Sequence, residues 1–121
     1  MKYLCLGFFN KKAMDSLSKE ELDAVMSKCE PHIQELYTSD RVVFDAGLGV
    51  ETTNIGTRNG KLVTTDGPFT ETKEQLGNAL MIEARDLNEA IQVASQHPAA
   101  RMGEAFGWRL EIRPVTFFKQ T

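Results

Sequence analysis

Residues 3–9, Tyr-Leu-Cys-Leu-Gly-Phe-Phe, constrain the fold more than any other stretch, because they are apolar on two faces at once. Read as a strand over residues 2–9, they place Tyr3, Cys5 and Phe9 on one side and Leu4, Leu6 and Phe8 on the other, since successive side chains alternate. A strand of this kind needs cover on both faces. The rest of the chain supplies two amphipathic helices, and these can cover only one. A second subunit laying its own sheet on the open face is the economical answer, with one patch used twice across a two-fold axis. A homodimer is therefore expected.

The other elements follow from local signals. Ser18 and Glu21 form a capping box, after which Leu22, Val25, Met26, Cys29, Ile33 and Leu36 recur at helical spacing. Pro31 is expected to kink that helix or divide it. Residues 41–46 read as a strand. Thr52–Thr57 and Leu62–Thr65 flank Asn59-Gly60, a type I′ turn signal that predicts a hairpin. Ala79–Ala84 is a further strand. Asp86 opens a second helix with Leu87, Ala90, Ile91 and Ala94 on its apolar face, ending before Pro98. Residues 108–113 close the chain as a strand. The order is a split βαβ plan, so the expected class is α+β, a ferredoxin-like antiparallel sheet with two helices on one face.

A chain of 121 residues reads as a single domain over 1–121, long enough to bury a core without disulfides or metal. Its net charge is −3, and no basic cluster exceeds Lys11-Lys12. Nucleic acid is therefore not an expected partner. The N-terminal apolar run is too short to span a bilayer and lacks a small-residue cleavage site. Neither a membrane nor export is expected, which places the chain in the cytoplasm. Cys5 and Cys29 fall in core elements and read as buried free thiols.

Asp66-Gly67-Pro68-Phe69-Thr70-Glu71-Thr72-Lys73-Glu74 concentrates a turn, an aromatic ring and charge between two apolar stretches. Loops of this density are where scaffolds tend to display a site. The segment resembles the motif of DGPF-type members of the YCII-related family. The resemblance extends over Met1–Leu4, Val63–Thr65, Leu76-Gly77, Leu80–Ala84, His97–Arg101 and Leu110–Pro114, nearly the whole chain. It implies a dimeric α+β barrel. Members of the DGPF group are often associated with extracytoplasmic-function sigma factors, so the resemblance also implies a regulatory partner as one reading.

Candidate site residues come from both sources. His32 lies beside Pro31, between Glu30 and Glu35, and histidine is the side chain that ordinarily changes charge near neutral pH. YCII-related proteins carry a His late in the first helix, proposed as half of a His–Asp pair, which His32 resembles. The matching aspartate is either Asp66 or Asp45. Asp66 equally suits an Asx turn, and His32 a surface role. Within the loop, Phe69 is expected to plug into the core. Thr70 is expected to cap a helical turn over Glu71–Gln75, ended by Gly77. Lys73 would then sit among Asp66, Glu71 and Glu74, either in a solvated ion pair or as a positive point in a cleft that holds an anionic group. Arg109 and Arg113 alternate with Trp108, Leu110 and Ile112 and could fork a substrate carboxylate if their face looks into a dimer cavity. His97 stands after a helix C-terminus, where an imidazolium suits the dipole, so a structural role is expected.

No nucleotide-binding loop, nucleophile elbow or metal-spaced histidine pair is present in the sequence, and no cofactor is expected. Two functional readings stand. One is cofactor-free acid–base chemistry, isomerase or lactone-type, on a small carboxylated molecule, with His32 moving the proton and Asp66 or Asp45 orienting it. The other is a non-catalytic binding or accessory module.

Overall fold

The computed structural model describes residues 1–67 and 73–121. Its core is a four-stranded antiparallel sheet in the order β2-β5-β1-β6, formed by β1 (Lys2–Asn10), β2 (Val42–Gly47), β5 (Glu74–Glu83) and β6 (Arg109–Pro114). Helices α2 (Lys19–Thr38) and α3 (Leu87–Ala94) are the crossovers of the two halves. The fold is α+β of ferredoxin-like plan, as the pattern of elements predicts. Strands β3 (Thr53–Arg58) and β4 (Lys61–Asp66) form a separate two-stranded sheet inserted between β2 and β5.

Local chemistry accounts for most boundaries. Ser18 accepts from the Glu21 amide and the Glu21 carboxylate accepts from the Ser18 amide, closing the capping box of α2. Asp86 caps α3 through the Glu89 amide. Asn59 and Gly60 take φ of 53° and 76°, the two positive values a type I′ turn requires. A short helix α1 (Lys11–Asp15), capped by Asn10, follows β1 directly.

Three expectations need correction. Pro31 does not divide the first helix: α2 is a single twenty-residue element with Pro31 in its interior. Proline removes one helical bond, but Ser27 and Pro31 are exposed, where solvent reaches the carbonyl left over. Meanwhile Cys29 and Leu36, on either side of Pro31, are buried. The helical turn over Glu71–Gln75 is also absent where it can be judged, because Glu74, Gln75 and Gly77 lie in β5. Here β5 is flanked by β1 along its whole length, with Asn10 opposite Glu74 and Gly7 opposite Asn78, and ladder bonds outcompete a local turn. Phe69, Thr70 and Glu71 fall outside the described residues.

The third correction concerns α3, which buries Glu89, Ala90, Val93 and Ala94 and leaves Leu87 and Ile91 exposed. The helix is turned toward Glu89, whose carboxylate accepts from Arg41 and Arg85 and from the Arg85 amide. Burial works to raise its pKa, but these bonds hold the carboxyl below its ordinary 4.5. A carboxyl of lowered pKa stabilises the fold above its unfolded value, and that contribution is lost as pH falls through the folded one. Glu89→Gln should therefore lower the melting temperature at neutral pH and flatten the acid limb of a melting-temperature-against-pH curve below about 4.5. An unchanged acid limb would show that the cluster does not tie α3 to β2.

The core lies between the helices and one face of the sheet. Tyr3, Cys5, Leu36, Leu80 and Ile82 are buried there, with Leu110 and Ile112 packed against them. Burial pushes the Cys5 thiol up to about 11, and both cysteines are free and buried. On the opposite face Leu4, Leu6 and Phe8 are only half-buried, and Phe44 and Leu76 are exposed. Among the described residues no helix is long and apolar enough to cross a membrane.

Candidate functional site

A cavity of about 250 Å³ opens between α2 and one end of the sheet. Its floor is Gly7, Phe8 and Phe9 of β1 with Gly77 and Asn78 of β5, and its roof is Met26, Cys29 and Ile33 of α2. Met14 and Trp108 close one side, with the Trp108 Nε1–H donating to Met14 Sδ at 3.3 Å. His97, Pro98 and Ala99 form another side, at the start of the short helix α4 (Pro98–Arg101).

A β-bulge shapes the floor. The β1–β5 register shifts between Gly7 and Phe8, a device that commonly re-aims side chains next to sites. Gly7 is required here by close approach: a Cβ on it would lie 1.8 Å from Asn78 Oδ1. Without one, the Asn78 carboxamide lies across β1 at the cavity floor, and it makes no hydrogen bond among the described residues.

His97 is buried at 9% exposure and has the structural role expected of it, but at the start of a helix and not at a C-terminus. Position 97 does follow the end of α3, but it is also the N-cap of α4, and Nδ1 accepts from the Ala99 amide at 3.0 Å. That bond requires an uncharged Nδ1 and puts the ring proton on Nε2. Burial lowers the pKa of His97 from its ordinary 6.5, against the opposing field of the Asp45 carboxylate. The group is thus a neutral imidazole and not a dipole-stabilised cation. Nε2 has no hydrogen-bond partner among the described residues, and the residue lines the cavity.

A histidine of lowered folded pKa leaves stability intact above 6.5 and removes it as pH falls below that value, until the folded pKa is passed. The melting temperature should therefore decline as pH drops below about 6.5, and less so in His97→Asn. Parallel curves for the two proteins would refute the burial of a neutral ring.

The residues singled out in the sequence are dispersed. His32 is half-buried on α2, next to cavity-lining Ile33 but not in the wall. Asp66 is exposed at the end of β4, and no bond joins it to His32 among the described residues. The loop entry is held by Gly67, whose amide donates to Thr52 and whose carbonyl accepts from Asn54. Lys73 is exposed. Arg109 forks Glu74 at 2.8 and 3.0 Å and stacks over Phe8 at 4.5 Å. Arg113 pairs with Glu111.

Asp45 sits on β2 opposite Leu80 and accepts from the Tyr37 hydroxyl at 2.5 Å, pushing that phenol up to about 12. Of the aspartates considered, it is the one whose field reaches a histidine, and that histidine is His97.

Residues 1–117 match the YCII-related domain. A protein of Rhizobium meliloti (strain 1021), described as uncharacterised, is similar at 30% identity over 122 aligned residues, covering 98% of this chain and 95% of that one.

Proposed function

The chain belongs to the YCII-related family, and from that premise we propose that it binds a small molecule in the cavity under α2 and polarises a ligand oxygen through His97. The observation that carries this is a neutral, buried imidazole in the wall of an otherwise mostly apolar cavity. Because Nδ1 is taken by the Ala99 amide, the ring presents Nε2–H as a donor. A neutral donor held in a dry pocket stabilises charge that develops on a carbonyl oxygen. That is the electrophilic half of isomerase or lactone-type proton transfer. The Asp45 field tunes the ring from behind. On this reading the His–Asp pairing expected for His32 with Asp66 or Asp45 is instead that of His97 with Asp45.

A thermal-shift screen of small carbonyl compounds and acids tests this in three proteins: wild type, Met26→Trp and His97→Asn. Met26 is exposed and lines the cavity, so an indole there narrows the space without burdening the core. Ligand at about 100 times its dissociation constant adds about 2.7 kcal/mol. Hits should vanish in Met26→Trp and weaken in His97→Asn. Hits indifferent to both substitutions would sink the reading.

The same reading includes assembly as a homodimer, the second copy covering the open face. Leu4, Leu6 and Phe8 line that face with Phe44 across the sheet, and Arg109, Glu111 and Arg113 border it on β6. Placing a carboxylate in such an interface leaves a buried, unpaired charge. Leu6→Glu should sediment as a monomer at concentrations where the wild type is a dimer. A monomeric wild type would remove the homodimer.

A further inference from the structure

The cavity walls also bear on the kind of molecule that fits. Among the described lining residues there is no arginine, lysine, aspartate or glutamate. Of the three cationic side chains that the sequence offered for anion binding, Arg109 pairs with Glu74 and Arg113 with Glu111, and Lys73 is not among the lining residues. A carboxylate entering this space would lose its hydration with no countercharge to replace it, and burying an unpaired charge is the costliest transfer a pocket can impose. The polar side chains among the lining residues are neutral. Besides the Trp108 N–H, which donates to Met14, they are Asn78, whose Oδ1 lies against Gly7, and His97, whose ring proton is on Nε2. Neither has a protein partner at the cavity among the described residues. A space of 250 Å³ is about 1.7 times the ~150 Å³ cavity that accepts benzene, room for about ten non-hydrogen atoms.

We infer that the ligand is an uncharged, largely apolar molecule of single-ring size, carrying a carbonyl or hydroxyl that takes up the free hydrogen-bonding capacity of Asn78 and His97. This rests on the cavity being the binding site and adds the ligand's charge class and a second polar contact, Asn78. The missing side chain at Gly7, directly opposite Asn78, is what leaves room for that carboxamide. A side chain at position 7 would push the carboxamide away, so the glycine acts as a specificity determinant without touching ligand. The carboxylated substrate expected from the sequence is replaced by its neutral counterpart.

Benzamide and benzoate share a shape and differ in charge, and ethylbenzene is of similar size without a polar group. Binding of these three probes is measured at neutral pH by quenching of Trp108, the chain's single tryptophan and part of the cavity wall, with calorimetry in parallel. The wild type should bind benzamide at least about tenfold more tightly than benzoate. Asn78→Leu should weaken benzamide about tenfold, one hydrogen bond's worth, while leaving ethylbenzene within about twofold. Gly7→Ala, which displaces the carboxamide and keeps it in the chain, should reproduce that pattern.

Benzoate binding as tightly as benzamide in the wild type would overturn the inference without any variant. So would benzamide affinity unchanged in both variants. Failure of all three probes, ethylbenzene included, would instead overturn the cavity as a binding site and this inference with it.

Discussion

Leu80→Ala should remove about 2–5 kcal/mol of unfolding free energy, the range for deleting a fully buried leucine side chain. Leu80 has no exposed surface and sits on β5 between Cys5 of β1 and Asp45 of β2. Strands hold it on both sides and the helices cover it, so the surroundings have little room to collapse into the space. A domain of this kind has about 5–15 kcal/mol in all, so one residue controls a large share of it. Urea unfolding followed by far-UV circular dichroism reads the change as a lower midpoint at constant slope. A loss below about 1 kcal/mol would mean that the sheet relaxes around the deletion and is not packed as described.

His97→Asn carries the largest functional effect expected. Asparagine keeps a side-chain acceptor at the start of α4 and is a good N-cap, so the fold should hold. What is lost is the Nε2–H donor. Turnover of any compound returned by the screen should drop about 10²–10⁴-fold, the usual contribution of a positioned proton-handling group. His97→Ala should show the same drop plus a cap penalty of about 1 kcal/mol. Asp45→Asn separates tuning from contact. Removing the carboxylate that raises the His97 pKa should move its titration, followed by NMR of the ring protons, to lower pH. Wild-type turnover in His97→Asn would take the residue out of the chemistry. An unmoved titration in Asp45→Asn would remove the pairing.

The signals that could be read in advance were the local ones. The Ser18–Glu21 box, the Asp86 cap and the Asn59-Gly60 turn each act within four residues, so the sequence shows cause and effect together. Alternation in β1 likewise separates Tyr3 and Cys5 from Leu4 and Leu6. The site depends on longer distances. The field of Asp45, on β2, reaches His97, and Arg41 reaches Glu89 across 48 residues of sequence. Asn78 gains its position from a glycine opposite it on a strand far away in sequence, which no spacing rule reveals.

One local clue did exist for His97. Proline directly after a capping residue marks the first turn of a helix, and Pro98 occupies that place in α4. Taking position 97 only as the end of the preceding helix led to a charged, dipole-stabilised group. The ring is in fact neutral and buried. At Arg109 and Arg113 the alternation was legible while their ion pairs with Glu74 and Glu111 were not.

The place of β1 in the sheet has a consequence during synthesis. Within this domain the strand made first is flanked by β5 and β6, which are made after the other four. At about 5–20 residues per second, the chain from Asn10 to Glu83 takes on the order of ten seconds to appear. For that interval Leu4, Leu6, Phe8 and Phe9 have no strand to pair with, in a segment whose apolar, uncharged run favours intermolecular pairing. Yield of the native protein should therefore depend on how fast the chain is elongated and on what shields its first ten residues, as much as on the stability of the finished fold.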